Sequence, residues 1–546
     1  MCAQRIVLTL LIAGMLASAA SCSKSESDQS SATVAPYIPS ADMTARVHWL
    51  GEDRLGVTAH AFYLMRLWQL PASAKLQDQT LARLSAAPWR LPAGETTTND
   101  SSARLRPLLN DIVWNESYLE VHQPARQPAE FVFAIKLNPD RAGIWETNLA
   151  IVLKSLTGTG PVASATDPHG WVLQRTATPN RIELTHAGGW TIVSAAPDNH
   201  ALLAGVLDWI RHDQLPAVGG GTNDWLEVEA DLSRLAAILP PSWHLPAQLP
   251  EISLALNGDG ANVLTRGQLT LPQPLPLPLA AWNFPTNLIP HLLDSFTAVH
   301  GLQPWLSSFK ILHVLPLDAP PDRLYFWSRP GAPSQEYFAA PVPDASNQVN
   351  RLTEYLLQKS NPWLAAHGYV SFDHSPDANG VVWGHMPTIQ PFLRFADTAA
   401  GGVIFGGLLP DTHPGTNTQD NLYARPSPSL LFARISAQTN LVYYDWELTG
   451  SRIQPCLYLG QVWRVVSRHS QLPDESLSVR WLQTITPRLG PCTTSITCTG
   501  TNQLSFVRQS TLGFTGAELQ LMADWLESPQ FPRGLYSLLT PPSAQP

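Results

Sequence analysis

Two pairs of carboxylate residues have the types and spacing best suited to chemistry in this sequence. Asp445 and Glu447 stand two positions apart in an apolar run, and Glu227 and Glu229 form a similar pair earlier in the chain. Side chains two apart on a strand point to the same side of a sheet, so each pair suits acid–base catalysis or divalent-ion binding. Acidic residues that alternate with apolar ones are also typical of a half-exposed strand. We favour the half-exposed strand, with the two pairs in like positions of a repeat.

Possible metal ligands are densest in one short segment, which contains His367, Asp373, His374, Asp377 and His385. Its successive histidines are 7 and 11 positions apart, with turn-forming residues between them. Metal-binding histidines typically share one face of an element, for example at i and i+4, and this spacing does not provide such a face. We interpret the segment as polar loop surface, and no metal site is predicted.

The common catalytic motifs are missing from the sequence. It contains no Gly-x-Ser-x-Gly, no His-Glu-x-x-His and no Gly-x-x-x-x-Gly-Lys-Ser/Thr, the patterns that position a serine nucleophile, a zinc pair or a phosphate. The segment from Gly158 to Ala163 fits a dinucleotide-binding pattern only loosely, because it follows a predicted helix and places Pro161 at the phosphate-facing turn. We interpret it as a loop. No cofactor is predicted, and the sequence favours a non-enzymatic protein while leaving an enzyme open.

The 19 tryptophans are scattered from Trp49 to Trp525 instead of being clustered. Many of them have apolar neighbours, which indicates positions in the core or between lobes. A glycan-binding platform needs a local, exposed cluster of rings and is the less favoured interpretation. The predicted partner is therefore an unidentified protein or glycan.

Composition bounds the class of protein. The 546 residues are 44% hydrophobic and only 14% charged, which indicates an ordered chain with ample core. This length exceeds what one core normally serves, so more than one domain is expected. The net charge of −9 and the lack of a basic patch with interleaved aromatic residues argue against nucleic acid as a partner.

The N-terminus has the pattern of an export signal. A positively charged start precedes an apolar run from Ile6 to Leu16, and small residues lead up to Cys22. Small residues directly before a cysteine resemble the lipobox of bacterial lipoproteins, although Ala19 stands where that motif prefers Leu. The resemblance implies a signal peptide over residues 1–22 and a diacylglycerol group on the thiol of Cys22. An ordinary secretory signal, cut near Ala20, is the alternative.

Residues 23–41 have the composition of a flexible tether. They are rich in serine and lack apolar periodicity. A tether directly after a lipid anchor gives a folded body the slack it needs at a membrane surface. We therefore predict a protein exported to the periplasm or outer membrane and held at the membrane by its N-terminal lipid.

Three cysteines remain for the folded body once Cys2 in the signal and Cys22 at the anchor are set aside: Cys456, Cys492 and Cys498. An odd number allows at most one disulfide among them. In an extended strand Cys492 and Cys498 would lie about 20 Å apart, beyond disulfide reach. A looped segment, or pairing with Cys456, would permit a bridge, so the pairing stays open.

A stretch from Tyr118 to Ser155 returns in similar form from Leu324 to Ser360. Each copy reads as strand, loop, strand, Pro-Asp and helix, and Pro139-Asp140 matches Pro343-Asp344. We predict an α+β fold of two similar lobes from a tandem duplication, each an antiparallel sheet with helices packed on it. The predicted boundaries are residues 42–280 for lobe 1, 281–535 for lobe 2 and 536–546 for a tail, with a seam at 272–278.

Four segments carry a resemblance to known proteins: Val47-His48-Trp49-Leu50-Gly51, Trp145-Glu146-Thr147-Asn148-Leu149-Ala150, Leu324-Tyr325-Phe326-Trp327 and Tyr443-Tyr444-Asp445-Trp446-Glu447-Leu448. Through them most of the chain resembles uncharacterised exported proteins of planctomycete- and verrucomicrobium-like bacteria. That family has no assigned activity. The resemblance implies a bacterial envelope setting and no particular chemistry.

Two functions of different classes follow as hypotheses. The first is a non-enzymatic cell-envelope lipoprotein whose lobes form a binding or scaffolding surface. The alternative is an extracytoplasmic hydrolase with its site in a cleft between the lobes, using Asp445 and Glu447. Polar side chains that converge on buried carboxylates in such a cleft would favour the hydrolase, whereas an apolar groove would favour binding.

The lipid anchor is tested by mass spectrometry of the mature N-terminus. We expect the mature chain to begin at Cys22 with a diacylglyceryl group, and a Cys22→Ser variant to lose the lipid and leave the membrane fraction. A mature chain that starts elsewhere, or a Cys22 without lipid, would contradict the anchor.

Overall fold

The computed structural model describes most of the chain from residue 42 onward. The described residues are 42–93, 100–124, 128–165, 167–174, 181–196, 201–212, 224–238, 249–275, 279, 281–289, 292–301, 303, 316–330, 337–366, 368, 370–375, 379–384, 390–399, 401–408, 425–453 and 476–534. The signal peptide, Cys22, the tether, Cys456 and the tail lie outside these ranges, and their assignments stay predictions.

The described strands form a single antiparallel sheet of 20 strands. The first ten are β1 Met43–Trp49, β2 Ser117–His122, β3 Glu130–Lys136, β4 Val162–Ala163, β5 Trp171–Gln174, β6 Arg181–Ala187, β7 Trp190–Ala196, β8 Leu226–Asp231, β9 Glu251–Gly258 and β10 Val263–Thr270. The second ten are β11 Ser295–His300, β12 Arg323–Ser328, β13 Tyr337–Pro341, β14 Phe372–His374, β15 Gly380–Trp383, β16 Phe392–Thr398, β17 Gly401–Gly407, β18 Leu441–Leu448, β19 Pro491–Cys498 and β20 Gln503–Ser510.

The order of the strands in the sheet repeats. The first half runs β4-β5-β6-β7-β3-β2-β1-β8-β9-β10. The second half runs β14-β15-β16-β17-β13-β12-β11-β18-β19-β20, which is the same order. The two halves meet where β10 pairs with β20, from Val263 opposite Ser510 to Thr270 opposite Gln503.

The predicted α+β class, with a large antiparallel sheet, is confirmed. Pro139 opens a helix after β3, and Pro343 lies just before a helix after β13, so both Pro-Asp pairs occupy the same place in the strand order. One sheet runs through both halves without a break. A division into two lobes near residue 280, and a tandem duplication as its origin, therefore stay predictions.

Helices connect the strands and cover the sheet. They are α1 Glu52–Gly56, α2 Phe62–Trp68, α3 Pro71–Ala93, α4 Asp100–Trp114, α5 Pro139–Thr157, α6 Ala201–Arg211, α7 Leu232–Ile238, α8 Ala345–Tyr355, α9 Asn361–Ala366, α10 Pro428–Ser436, α11 Leu477–Ile485 and α12 Gly516–Glu527. In the part of the chain that the structure describes, none of them is long and apolar enough to cross a membrane.

Local signals fix the ends of two helices that matter below. The side chain of Asn138 accepts a hydrogen bond from the Arg141 amide at the start of α5, and Gly158 ends that helix in a left-handed conformation. The predicted loop from Gly158 to Ala163 is thus confirmed as far as Pro161, whereas Val162 and Ala163 form the short strand β4. At the start of α12, Thr515 and Glu518 form a reciprocal capping box.

The two faces of the sheet carry different helices. On one face α3, α4 and α5 pack on Leu119 and Phe133 of the first half, and Leu84 and Leu108 are fully buried there. On the other face α6 packs on β2, β3 and β7, and α10 packs on the aromatic side chains of the second half. Nine tryptophans, Trp49, Trp145, Trp171, Trp190, Trp225, Trp327, Trp446, Trp481 and Trp525, are buried, as the core interpretation predicted.

Cys492 and Cys498 lie at opposite ends of β19, and both thiols are free. The extended strand keeps them apart, as the estimate of about 20 Å for six extended residues predicted. The sequence from Glu251 to Arg266 also predicts a hairpin with its turn at Asn257 to Gly260. The hairpin is confirmed as β9 and β10, but Asn257 and Gly258 pair with Leu264 and Val263 within the strands, so the turn lies at residues 259–262.

Gly267 of β10 tests how closely β9 packs on the strand that forms the junction between the halves. It pairs with Phe506 across the junction, and an added Cβ would stand 2.4 Å from the Ser253 carbonyl oxygen and 2.5 Å from Leu254 Cδ2. Because backbone must shift to relieve this overlap, we expect Gly267→Ala to lower the free energy of unfolding by about 1–3 kcal/mol. Urea denaturation measures the change.

Gly205→Ala is the matched control, because nothing lies within 4 Å of a Cβ added at this glycine of α6. It should stabilise the protein by about 0.5–1 kcal/mol, the helix-propensity difference between the two residues. Equal effects of the two substitutions would contradict the close packing of β9 on β10.

Candidate functional site

The carboxylates of Asp445 and Glu447 are closed to solvent. Asp445 is 2% exposed and Glu447 is fully buried, although both alternate with apolar residues along β18. The interpretation of this strand as half-exposed is therefore wrong. An alternation of period two is the same for an exposed polar face and for a buried one, and the second case arises here because distant parts of the chain cover the face.

Glu447 accepts hydrogen bonds from three directions. The backbone N–H of Gly516, at the first residue of α12, donates to its Oε1 over 2.6 Å, and the Thr449 hydroxyl donates to the same oxygen over 3.2 Å. The Arg452 guanidinium donates to Oε2. A carboxylate at a helix N-terminus is stabilised by the free N–H groups and the dipole of the helix, so Glu447 seats α12 on the sheet.

Asp445 is the member of the pair whose pKa is shifted. Burial, and then the neighbouring Glu447, raise the pKa of Asp445 to about 7, while Arg452, the Thr297 hydroxyl and Arg508 oppose the rise. Thr297 donates to Oδ1, and Oδ2 has no hydrogen-bond partner among the described residues. Asp445 therefore changes protonation near neutral pH.

A second ion pair completes the cluster. Arg508 of β20 contacts both carboxylate oxygens of Glu518 in α12, over 2.7 Å and 3.0 Å, and donates to the hydroxyl of Thr494 over 2.9 Å. Burial and Glu447 raise the pKa of the Cys492 thiol in the same cluster, which keeps it protonated. We call Asp445, Glu447, Arg452, Arg508 and Glu518 the β18 cluster.

Glu227 and Glu229 lie on the opposite face of the sheet from Asp445 and Glu447. Directly paired residues of antiparallel strands share a face. Such pairs lead from Glu227 through Ala255, Arg266, Val507 and Ser495 to Tyr444, the neighbour of Asp445. The prediction that the two carboxylate pairs are placed alike is therefore wrong.

The first-half pair has its own ionic partners. Arg46 contacts Glu229 over 2.7 Å, and His48 lies 3.6 Å from Glu227 and 3.2 Å from Glu116. Burial lowers the pKa of His48, but the hydrogen bonds and charges of Glu116 and Glu227 outweigh it, so the pKa is raised. Glu229 thus pairs with a guanidinium group and Glu227 lies beside an imidazole, which is the arrangement of a structural network.

The predicted histidine-rich segment is only partly described. Asp373 and His374 are adjacent residues of the short strand β14, both exposed, so their side chains point to opposite sides. His367, Asp377 and His385 lie outside the described residues. Among the residues that are described, no group of three or more His, Cys, Asp or Glu side chains is placed to hold a metal ion.

An apolar cleft lies between helices from the two ends of the chain. It encloses about 100 Å³ and is partly open to solvent. The first-half wall comes from α2, α3 and α4, and the second-half wall comes from α11, α12 and the loop before α12. Its lining includes Leu67, Trp68, Leu76, Leu81, Val113, Trp481, Ile485, Leu512, Phe514, Leu519, Met522 and Trp525.

The few polar groups of the cleft are mostly satisfied within the protein. The Ser73 hydroxyl donates to the Leu67 carbonyl over 2.7 Å and accepts from the indole N–H of Trp481 over 3.1 Å. The Thr80 hydroxyl donates to the Leu76 carbonyl over 2.8 Å. Walls of this composition favour apolar groups over water.

Sequence reasoning missed this cleft. The apolar periodicity of residues 75–86 predicts a helix with one apolar face, but nothing in the pattern shows that residues near 520 face it. The Thr515-to-Glu518 capping box before an apolar run is the signal that would have marked α12.

Comparison with known proteins gives no family. No protein-family model and no curated protein matches this chain. Among solved structures, a chain titled "Structure of crystal form III of TP0453" shares 9% identity, covers 52% of this chain and 88% of its own length, and has a TM-score of 0.23. A similarity of this size carries no argument about fold or function. The resemblance to an exported bacterial family stays a prediction.

Asp445 makes stability depend on pH. Its pKa is about 7 in the folded protein against an ordinary value of 3.8. Ionisation is therefore harder in the folded state, and the stability that belongs to the protonated side chain is lost as the pH rises from about 4 through 7. We expect Asp445→Asn to remove this loss, which amounts to at most about 4 kcal/mol.

Urea denaturation of both proteins at several pH values between 4 and 8.5 measures the effect. The advantage of Asp445→Asn over the wild type should grow as the pH rises and level off above pH 8. A stability difference that stays constant over this range would show that Asp445 titrates normally.

Proposed function

We propose that this protein is a non-enzymatic binding protein of the cell envelope, anchored through Cys22, whose ligand enters the apolar cleft between α3 and α12. The cleft is the observation that carries the proposal. Its walls are almost entirely apolar and come from opposite ends of the chain. Ligand sites are typically concave, apolar and located between packed units of a protein.

The burial of the carboxylate pair supports binding over hydrolysis. A general acid or base must come within hydrogen-bond distance of the substrate or of one intervening water. Asp445 is 2% exposed and Glu447 is fully buried, and the hydrogen bonds of Glu447 go to its own chain. In this conformation neither carboxylate can therefore reach a substrate.

An extracytoplasmic hydrolase remains the second candidate because of one observation. Two carboxyl groups lie two residues apart on β18, and burial and Glu447 raise the pKa of Asp445 to about 7. Carboxyl pairs with pKa values pushed apart are typical of general acid and base pairs. This candidate requires a conformation in which α12 leaves the carboxylates and a substrate replaces it.

Partners at the membrane follow from the same proposal. A lipid at Cys22 and a tether over residues 23–41 would hold the cleft close to the bilayer surface. An unidentified protein or glycan partner, and a scaffolding role beside binding, belong to the proposal as well. The envelope setting rests on the N-terminal pattern alone.

Binding is tested with N-phenyl-1-naphthylamine, an uncharged aromatic probe that fluoresces in apolar surroundings. We expect saturable binding by the wild type and at least about tenfold weaker binding by Met522→Trp, because the larger ring fills the cleft. Met522 lines the cleft on α12. A tenfold change corresponds to about 1.4 kcal/mol, which the loss of one apolar subsite supplies.

Leu521→Trp is the matched control, since Leu521 neighbours Met522 on the same helix but does not line the cleft. It should bind the probe like the wild type. Equal binding by all three proteins, or no binding by the wild type, would overturn the cleft as the site. Hydrolysis of model esters or glycosides that Asp445→Asn abolishes would favour the second candidate instead.

A further inference from the structure

Helix α12 is held at both ends by different parts of the molecule. At its N-terminus the Gly516 amide donates to Glu447, and Glu518 pairs with Arg508. At its C-terminus Arg83 of α3 donates to the carbonyls of Leu526 and Ser528. The helix is therefore fastened to the second half of the sheet at one end and to the first-half helices at the other.

The same helix forms a wall of the apolar cleft. Leu519, Met522 and Trp525 of α12 line the cleft. Leu519 lies three residues after Gly516, within one turn of the contact with Glu447. Whatever loosens the first turn of α12 therefore loosens the wall of the cleft.

The charges of the β18 cluster do not balance when every carboxyl group is ionised. Three carboxylates, those of the buried Asp445 and Glu447 and that of Glu518, whose side chain is 40% exposed, share the two guanidinium groups of Arg452 and Arg508. A proton on Asp445 makes the numbers equal. Buried charge without a partner is costly, so the protonated form suits the closed arrangement.

We propose that Asp445 is a proton-binding latch that holds α12 against the apolar cleft when protonated and releases the first turn of α12 when ionised. This proposal rests on the proposed binding function, because it assigns the regulation of the same cleft. An ionised Asp445 repels the Glu447 carboxylate that accepts from the Gly516 amide, and it competes with Glu518 for Arg508. Both contacts that fasten the N-terminus of α12 then weaken.

Every element packed around Asp445 contributes to this balance. The titratable and charged groups that act on it are Tyr443 and Glu447 of β18, Arg452 after β18, Cys492 of β19, Arg508 of β20 and Glu518 of α12. Burial raises the pKa of both Tyr443 and Cys492, so both stay neutral up to alkaline pH. Asp445 is thus the group of this cluster whose charge changes near neutral pH.

The first half of the sheet shows that the fold does not require buried charge here. On the face that carries Asp445 and Glu447 in β18, the corresponding strand β8 carries Val228 and Ala230. Apolar side chains cover that face of β1 as well, with Val47 packed in the first-half core. A charged cluster that the other half of the sheet lacks is therefore an addition to the architecture, placed under the helix that walls the cleft.

The latch is tested by hydrogen–deuterium exchange of the full mature chain without ligand. Protection factors, corrected for the pH dependence of intrinsic exchange, are measured for the amides of residues 519–527 at pH 5.5 and 8.5. We expect protection in the wild type to fall at least about tenfold between these pH values, one tenfold step being the effect of a single pKa unit. In Asp445→Asn it should change less than twofold.

Asp78→Asn is the control for removal of a negative charge, because Asp78 lies on α3 with its side chain 79% exposed. It should behave like the wild type. Glu518→Gln, which breaks the pair with Arg508, should lower the protection of α12 at both pH values. Protection that is independent of pH in the wild type, or that falls equally in Asp445→Asn, would overturn the latch.

Probe binding separates this proposal from the function on which it rests. With the latch, the association rate of N-phenyl-1-naphthylamine should rise at least about tenfold from pH 5.5 to 8.5 in the wild type, as the open fraction rises, and stay constant in Asp445→Asn. If the probe binds at a rate independent of pH, the latch fails and the binding site stands. If the probe never binds while α12 still opens with pH, the binding function fails and the latch stands.

Discussion

The pairing of β10 with β20 is the interaction on which the rest of the structure depends. Eight residue pairs, from Val263 opposite Ser510 to Thr270 opposite Gln503, join two ten-strand arrays into one sheet. The edges of β10 and β20, which would otherwise expose free N–H and C=O groups, are thereby satisfied by each other. Because β20 continues the first-half sheet, the helix that follows β20 arrives beside α3. Arg83 of α3 donates hydrogen bonds to the carbonyls of Leu526 and Ser528 at the end of this helix, which shows the contact directly.

This geometry explains why the cleft and the β18 cluster are neighbours. The first turn of α12 stands on Glu447, and the next two turns face α2, α3 and α4 across the cleft. Ionic contacts hold the N-terminus of α12, and its later turns pack through apolar contacts. Buried ion pairs contribute little net stability compared with apolar packing, so the cluster is better understood as a specific fastening than as a source of stability.

The two halves differ most on the face that bears these helices. In the first half it carries Val47, Val228 and Ala230, which are packed under long helices. In the second half it carries Thr297, Asp445 and Glu447. Thr297 donates to Asp445, and Glu447 is bonded by the Arg452 guanidinium and the N-terminus of α12. The repeated strand order therefore supports two kinds of interior. One is a plain core, and the other is a titratable cluster.

Several elements could be predicted from the sequence because their signals are local. The turn-forming residues from Asn257 to Gly260 mark a hairpin whose turn lies two residues later, and the Pro-Asp pairs mark the same point in both halves. The environment of Asp445 could not be predicted. Acidic and apolar residues alternate with the same period of two whether the acidic side chains face water or face buried arginine residues. The cations that neutralise the cluster include Arg508, which reaches it only through the pairing of β20 with β19. The cleft depends on helices from both ends of the chain, which no local pattern brings together.

Crystals pressurised with xenon provide the most direct test of the central claim. That claim is that the cleft takes up apolar groups while the neighbouring carboxylates of Asp445 and Glu447 are closed to solvent. Xenon enters dry apolar cavities and avoids polar ones. We predict xenon density between α3 and α12, in contact with Leu76, Leu81 and Leu519, and no solvent channel to Asp445 and Glu447. Ordered water in the cleft, or a channel that opens both carboxylates to solvent, would contradict a binding protein and point to catalysis.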